Sequence, residues 1–191
     1  MNKILLALLL AFASPAAHAT DLTAYGTFEM GKAFPQSNLA DFLIDGTTYR
    51  ADLFGGAKLA NIKFLSAIGL GLDFTYTTWR PLNSEAGFRY KQYQWDMFKL
   101  PLQLGWFIVE PAFIWMVTDV GIPHLNIDHT SIRPGINLTA GLRIPLLPHF
   151  ALAVDGRIQR VMMEKELTNT NERFNVTGQT YSWLVGGSLY F

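Results

Sequence analysis

A histidine and a serine two residues apart are the side chains of this sequence whose types best suit catalysis. His129 and Ser131 match the base and the nucleophile of an acyl-transfer site. His124 and Asp128 lie nearby in the sequence and, with His129, carry metal-ligating atoms. Spacing within a loop fixes no coordination geometry, so we expect no metal site and no cofactor. A solvated loop histidine is the simpler interpretation, and we expect no catalysis here.

Charged residues inside alternating segments are the second candidate for chemistry. They fall on the polar face of their segments, and they are Glu29, Asp52, Lys58, Asp73, Arg143, Asp155 and Arg157. In a strand the two alternating faces point to opposite sides of the sheet. We favour a buried network of paired acids and bases, because an unpaired buried charge is costly. A narrow or gated pore that conducts by rearranging those pairs is the alternative.

The element that could position such residues is clearest at the C-terminus. One face of the last eleven residues is apolar and the other is small and mostly polar, and the apolar face carries Tyr181, Trp183, Val185, Leu189 and Phe191. About ten residues of such alternation cross the hydrocarbon of a bilayer as a tilted strand. This ending resembles the final strand of Gram-negative outer-membrane β-barrels, which the assembly machinery recognises. The resemblance implies that these five residues form an assembly signal.

The N-terminus predicts export. Residues 1–19 combine Lys3, an apolar run and the sequence Ala17-His18-Ala19, which together are typical of a cleavable signal peptide. The mature chain, residues 20–191, is then long enough for one domain.

Composition favours the same class of protein. Half of the residues are hydrophobic and 16% are charged, against about 25% charged in ordinary soluble domains. Basic and acidic residues balance at 15 each, so nothing suggests a nucleic-acid partner. The absence of cysteine from the sequence excludes disulfides.

Alternation between turns predicts eight strands. They fall at residues 22–31, 49–59, 67–77, 90–104, 109–118, 133–144, 152–159 and 181–191. Long polar loops are expected at residues 35–46, 80–89, 119–131 and 164–175, with short turns between them. Long loops on one rim and short turns on the other are typical of outer-membrane barrels. The faces of the fourth strand are ambiguous, which a β-bulge would explain.

Aromatic residues lie near the expected strand ends. The outer set is Tyr76, Trp79, Tyr90, Tyr93 and Trp95, and the periplasmic set is Phe64, Trp106, Phe107, Phe150 and Phe191. Two such sets predict the aromatic girdles of a membrane-spanning barrel.

Basic and aromatic residues also flank the second expected outer loop. Arg80, Arg89 and Lys91, with Tyr90 and Tyr93, suit the phosphate groups of lipopolysaccharide or an external partner. An ordinary solvated loop is the alternative, and the sequence does not decide between them.

The signal peptide, the strand pattern and the terminal Phe together resemble the OmpA- and OmpX-like family of small outer-membrane barrels. We therefore predict an all-β fold, an eight-stranded antiparallel transmembrane up-and-down β-barrel, in the outer membrane of a Gram-negative bacterium. We expect a monomer with a structural, adhesive or loop-mediated binding role, and with outer-membrane lipid, lipopolysaccharide and the barrel assembly machinery as partners. A narrow channel for small solutes or hydrophobic ligands is the alternative function.

His129 and Ser131 also resemble part of the site of the lipid A deacylases, which are barrels that use Ser, His and a carboxylate. Those enzymes carry Asn after the Ser, where Ile132 stands here, and Arg143 occupies the position expected for the carboxylate. A lipid A-modifying enzyme is therefore the least favoured alternative.

Overall fold

One closed antiparallel sheet makes up the fold. The computed structural model describes residues 22–36, 40, 43–58, 67–82, 89–122, 127–166 and 173–191. Its strands are β1 (Leu22–Gln36), β2 (Leu43–Lys58), β3 (Ala67–Pro81), β4 (Arg89–Lys99), β5 (Leu102–Leu104), β6 (Phe107–Ile122), β7 (Ile127–Leu147), β8 (Phe150–Glu166) and β9 (Arg173–Tyr190). Strand β1 pairs with both β2 and β9, which closes the ring. In the described part of the chain, no helix is long and apolar enough to cross a membrane.

Strands β4 and β5 together occupy one strand position in the barrel, since each pairs with β3 and with β6. They are separated at Leu100 and Pro101, where proline has no N–H for the ladder. The Leu100 N–H still donates to the carbonyl of Pro111 on β6, at 3.0 Å. Counted in this way the ring has eight strands, and the predicted fold class is confirmed.

The predicted bulge in the fourth strand is present. The register of β4 against β6 shifts between Asp96 and Phe98, so one extra residue stands opposite its neighbours. Strict alternation from Asp96 would turn Lys99 outward, but Asp96 and Lys99 are both buried inside the barrel. The bulge is therefore what brings Lys99 into the lumen.

The last residues of β1, β3, β6 and β8 and the first residues of β2, β4, β7 and β9 share one end of the barrel, which we call the hairpin end. The other, the turn end, holds short turns, such as that at Gly105 with φ of +65°, a conformation that favours glycine. All four of the expected loops were too long: pairing continues to Gln36, to Pro81, to Ile122 and to Glu166. Backbone pairing does not require apolar alternation once both faces of a strand lie outside the membrane.

Large apolar side chains cover the outside of the barrel. Phe28, Leu53, Leu72, Ile136 and Trp183 each expose about 60% of their surface. A continuous apolar surface of this kind would be unstable in water, but it suits hydrocarbon. The outer surface is that of a transmembrane barrel.

Two of the residues predicted for the outer aromatic girdle point into the lumen instead of toward lipid. Trp79 is buried, and Tyr90 packs beside it against Ala33 and Leu43 inside the hairpin end. Trp79 shares the inward parity of Asp73 on β3, and Tyr90 shares that of Gln92 on β4. Their assignment to the outer girdle was wrong, because position near a strand end does not decide the face. Phe64, from the periplasmic set, lies outside the described residues.

Candidate functional site

Arg50 is the centre of a charge network that fills the middle of the lumen. It projects from β2, and its Nη1 donates to Glu29 Oε2 at 2.8 Å and to Asp155 Oδ2 at 2.5 Å. Nη2 donates to Glu110 Oε2 at 2.6 Å, and Nε donates to Asp73. One guanidinium thus joins β2 to β1, β3, β6 and β8.

Lys99 and Arg143 extend the network toward the remaining strands. The Nζ of Lys99 donates to Asp52 Oδ1 at 2.5 Å and lies 3.0 Å from Glu110 Oε1. Arg143, on β7, binds Asp155 through both terminal nitrogens, at 2.5 and 3.0 Å. Gly141 makes room for this pair, because a Cβ there would overlap the Asp155 carboxylate.

Arg157 forms the part of the network nearest to the hairpin end. It donates to Thr75 Oγ1 at 2.6 Å and to Asp96 Oδ2 at 3.4 Å. Asn137 donates to the same Asp96 oxygen at 3.0 Å. A charged layer therefore passes into a layer of amides and hydroxyls.

The network contains more acids than bases. Its carboxylates are Glu29, Asp52, Asp73, Asp96, Glu110 and Asp155, and its cations are Arg50, Lys99, Arg143 and Arg157. None of these residues exposes more than 4% of its surface. In a medium of low polarity such charges are tolerated only through mutual pairing and hydrogen bonds.

Six of the seven lumen charges singled out in the sequence meet in this network. The side chain of the seventh, Lys58, lies outside the described residues. Sequence reasoning missed Arg50, Asp96, Lys99 and Glu110 as members of this cluster. The position of Arg50, two residues before Asp52 on the same face of its strand, was a usable signal, whereas the bulge concealed Lys99.

An aromatic cluster covers one side of the network within the lumen. Toward the turn end, Tyr25 stacks on Phe54 with ring centroids 4.7 Å apart, and Tyr190 and Ile108 complete the cluster. The Tyr25 hydroxyl donates to Glu110 Oε1 at 3.4 Å, which ties the cluster to the charges. The middle of the lumen is thus occupied by ion pairs and hydrogen bonds.

Toward the hairpin end, Ala112, Ile114, Met116 and Val161 form a small apolar cluster on β6 and β8. Its β6 members stand in register beside the polar residues of β4, since Ile114 pairs with Asp96 and Met116 with Gln94. Beyond it, the Trp79 indole donates to Gln92 Oε1 at 2.7 Å. Buried polar side chains therefore continue from the charges toward the hairpin end, whereas packed rings cover the charges toward the turn end.

Solved structures share this architecture. Neisserial surface protein A is 11% identical, with a TM-score of 0.52 over 89% of this chain and 97% of that chain. The fold is that of the small outer-membrane β-barrels. The attachment invasion locus protein Ail of Yersinia pestis is 10% identical over 88% and 99% of the two chains, with a TM-score of 0.48. OprG of Pseudomonas aeruginosa is 9% identical over 91% and 96%, with a TM-score of 0.47.

At these identities the likeness concerns the fold of the outer-membrane barrel alone. No family model matches the sequence, and no curated protein matches it. The particular role of this barrel must therefore be argued from its own residues.

The serine of the suggested catalytic pair lies in the wall of the outer-membrane barrel near its hairpin end. Ser131 is half-buried and pairs in register with Thr118 on β6. The side chains of His124, Asp128 and His129 lie outside the described residues. The adjacent carboxylate, Asp119, falls on the opposite face of β6 from Thr118 and accepts bonds from Arg89 at 2.9 and 3.1 Å.

The other suggested position is far from this serine. Arg143 is twelve residues further along β7, which at about 3.4 Å per residue is about 40 Å. It is bound to Asp155 within the network. Neither Asp119 nor Arg143 is thus placed as the third member of a catalytic triad.

The C-terminal face predicted as an assembly signal is turned outward. Trp183, Val185, Leu189 and Phe191 expose between 51% and 80% of their surface, and Tyr181 is partly exposed. The Phe191 N–H donates to the carbonyl of Ala24 at 2.9 Å, so the end of the chain is fixed to β1. The side chains remain accessible from the membrane at the strand pair that closes the barrel.

Proposed function

We propose that this protein is an outer-membrane barrel of a Gram-negative bacterium that neither conducts solutes nor catalyses a reaction. Its role would be structural, adhesive or binding, and it would act through its hairpin end. The filled lumen carries this proposal, since Arg50 alone contacts carboxylates from four other strands. A chain whose interior is occupied by such contacts presents its outer surface and rim to partners.

The network disfavours the channel alternative. A solute would have to separate Arg50 from Glu110 and Asp155 and to displace the stacked rings of Tyr25 and Phe54. Separating buried ion pairs costs several kcal/mol for each uncompensated charge. Conduction would thus require rearrangement of the interior.

Single-channel recording in a planar bilayer tests closure. We expect the refolded mature chain to be silent, and the variant with Arg143→Ala and Arg157→Ala serves as the comparison. Steady wild-type conductance that shifts in this variant would overturn the proposal and make the lumen charges part of a pore. Heat-modifiable mobility on gels confirms that the silent sample is folded.

Mass spectrometry of lipid A tests the enzymatic alternative. Cells that produce the wild type and cells that produce Ser131→Ala should contain lipid A with the same acyl chains. Loss of a chain that requires Ser131 would refute the assignment as a non-enzyme.

The exposed C-terminal face supports recognition by the barrel assembly machinery as part of this proposal. Phe191→Ser should lower the amount of folded barrel in the outer membrane severalfold at equal synthesis. Trp106→Ser is a matched control, because Trp106 is also an exposed aromatic residue at the turn end. Equal insertion of both variants would contradict a special role for Phe191.

A further inference from the structure

One row of outward-facing polar residues crosses neighbouring strands near the hairpin end. Lys32 on β1 pairs with Thr47 on β2, Thr47 with Thr78 on β3, and Thr78 with Lys91 on β4. Two ammonium groups therefore flank two hydroxyl groups on the outer surface of the barrel. Lysine and threonine side chains are both donors that suit a phosphate oxygen.

A second set of charges lies beside this row, closer to the hairpin tips. The Asp45 carboxylate binds Lys32 Nζ at 3.3 Å and Arg80 Nε at 3.0 Å. One carboxylate thus contacts two cations. Lys91 pairs in register with a second carboxylate, Asp119 on β6, which binds Arg89. Among these six residues four cations face two carboxylates, so the group keeps a net positive charge. The side chains of Lys32 and Arg80 are 54% and 63% exposed, and the guanidinium of Arg80 has two further amino groups that suit phosphate.

On the membrane side the polar row borders tyrosines and then apolar residues. Tyr49, Tyr76 and Tyr93 are successive partners on β2, β3 and β4, and the rings of Tyr76 and Tyr93 stack at 4.9 Å. Two residues further along, the outward positions of these strands carry Ala51, Phe74 and Trp95. Each step covers only about 7 Å. Cations, amphipathic rings and hydrocarbon surface thus follow one another within the length of one lipid headgroup and its first chain carbons.

We propose that this surface binds the phosphorylated headgroup of a lipid in the surrounding leaflet. We call it the rim patch, and it consists of Lys32, Thr47, Thr78, Arg80 and Lys91. The phosphate contacts the cations and hydroxyls, and the acyl chains lie along the tyrosines and the apolar belt. Free phosphate would contact only the cations and hydroxyls, whereas a phosphorylated lipid also contacts the tyrosines and the apolar belt. The inference rests on the proposed function, because it names what the hairpin end of a closed barrel would bind.

Arg160 provides an internal comparison. It is an exposed cation on β8 whose register neighbours are Ile136 on β7 and Gln179 on β9. It thus shares the charge and outward orientation of the rim-patch cations, but its immediate neighbours do not repeat the tyrosine row. A purely unspecific attraction between cations and anionic lipid would involve Arg160 as much as Arg80.

Native mass spectrometry of the refolded mature chain in detergent micelles tests the rim patch. The probes are diphosphorylated lipid A, the same lipid without phosphates, and sodium phosphate. The wild type is compared with a triple variant, Lys32→Gln with Arg80→Gln and Lys91→Gln, and with Arg160→Gln. We expect the triple variant to bind diphosphorylated lipid A at least about tenfold more weakly, since each charge-assisted contact contributes substantially. Arg160→Gln should bind it as the wild type does.

The other probes identify the source of the phosphate. Dephosphorylated lipid should bind the wild type as weakly as diphosphorylated lipid binds the triple variant, and sodium phosphate should not compete. Equal lipid binding by the wild type and the triple variant, or an equal loss in Arg160→Gln, would overturn the proposal. Competition by phosphate alone would overturn its lipid part. Single variants Lys32→Gln and Arg80→Gln replace the triple variant if that chain does not refold, and a negative result leaves the conductance test of closure unaffected.

Discussion

Arg50 and Arg80 are the same residue type in opposite settings. Arg50 lies inside the lumen with no exposed side-chain surface and contacts carboxylates from four other strands. Arg80 lies outside, with 63% of its side chain exposed and one bound carboxylate. All three nitrogens of the buried Arg50 guanidinium donate to carboxylates, whereas an exposed guanidinium can exchange its partners with water. The difference predicts that replacing an interior charge costs more stability than replacing a rim charge, and that only the rim charges can take part in the proposed lipid binding.

Replacing the central guanidinium is expected to have the largest effect. Arg50→Met leaves the carboxylates of Glu29, Asp73 and Glu110 without their main partner. Breaking a buried ion pair costs about 3–5 kcal/mol, and we expect at least that loss in the free energy of unfolding. Urea titration of the barrel in lipid vesicles measures it. Arg160→Met, at an exposed site, is the control, and a similar small change in both variants would contradict the structural role.

An intermediate effect on the free energy of unfolding is expected for the ion pair between Arg143 on β7 and Asp155 on β8. Arg143→Met and Asp155→Asn should each destabilise the barrel, but the double variant should lose less than the sum of the two. Residues in one ion-pair network show coupling energies of about 0.5–3 kcal/mol. A double-mutant cycle by urea titration gives this value. Strict additivity would show that the two nitrogen contacts to Asp155 contribute nothing specific.

The smallest effect on stability is expected at the rim. The combined replacement Lys32→Gln, Arg80→Gln and Lys91→Gln should change the free energy of unfolding by less than about 1 kcal/mol, because exposed ion pairs contribute little. Urea titration in vesicles without anionic lipid measures it. A loss comparable to that of Arg50→Met would place the rim patch in the structural framework instead.

Alternation was sufficient to predict the fold because each strand separates lipid from lumen over its whole crossing. Phe28 faces the membrane and Glu29 faces the interior, as their positions in the sequence indicated. The same alternation puts Arg50 on the inward face, but nothing in the sequence shows which inward charge is the centre of the network. That ranking depends on which strands face each other across the lumen.

The remaining errors have physical causes. Trp79 and Tyr90 were assigned to the outer girdle because they lie near strand ends, although their parity on β3 and β4 turns them into the lumen. Glu110 was missed because its strand is apolar on both faces, and its partners Arg50 and Lys99 come from other strands. Sequence spacing cannot reveal contacts that form only when a sheet closes on itself.

The bulge in β4 also bears on how the length of this strand can vary. Residue 97 is the extra position between Asp96 and Phe98, and the faces on either side of it already alternate correctly. Deleting it would straighten the strand and leave Phe98 toward lipid and Lys99 toward the lumen. Deleting Gln94 instead would exchange the faces of the residues up to the bulge. Homologues that differ by one residue in this strand are therefore expected to differ at position 97.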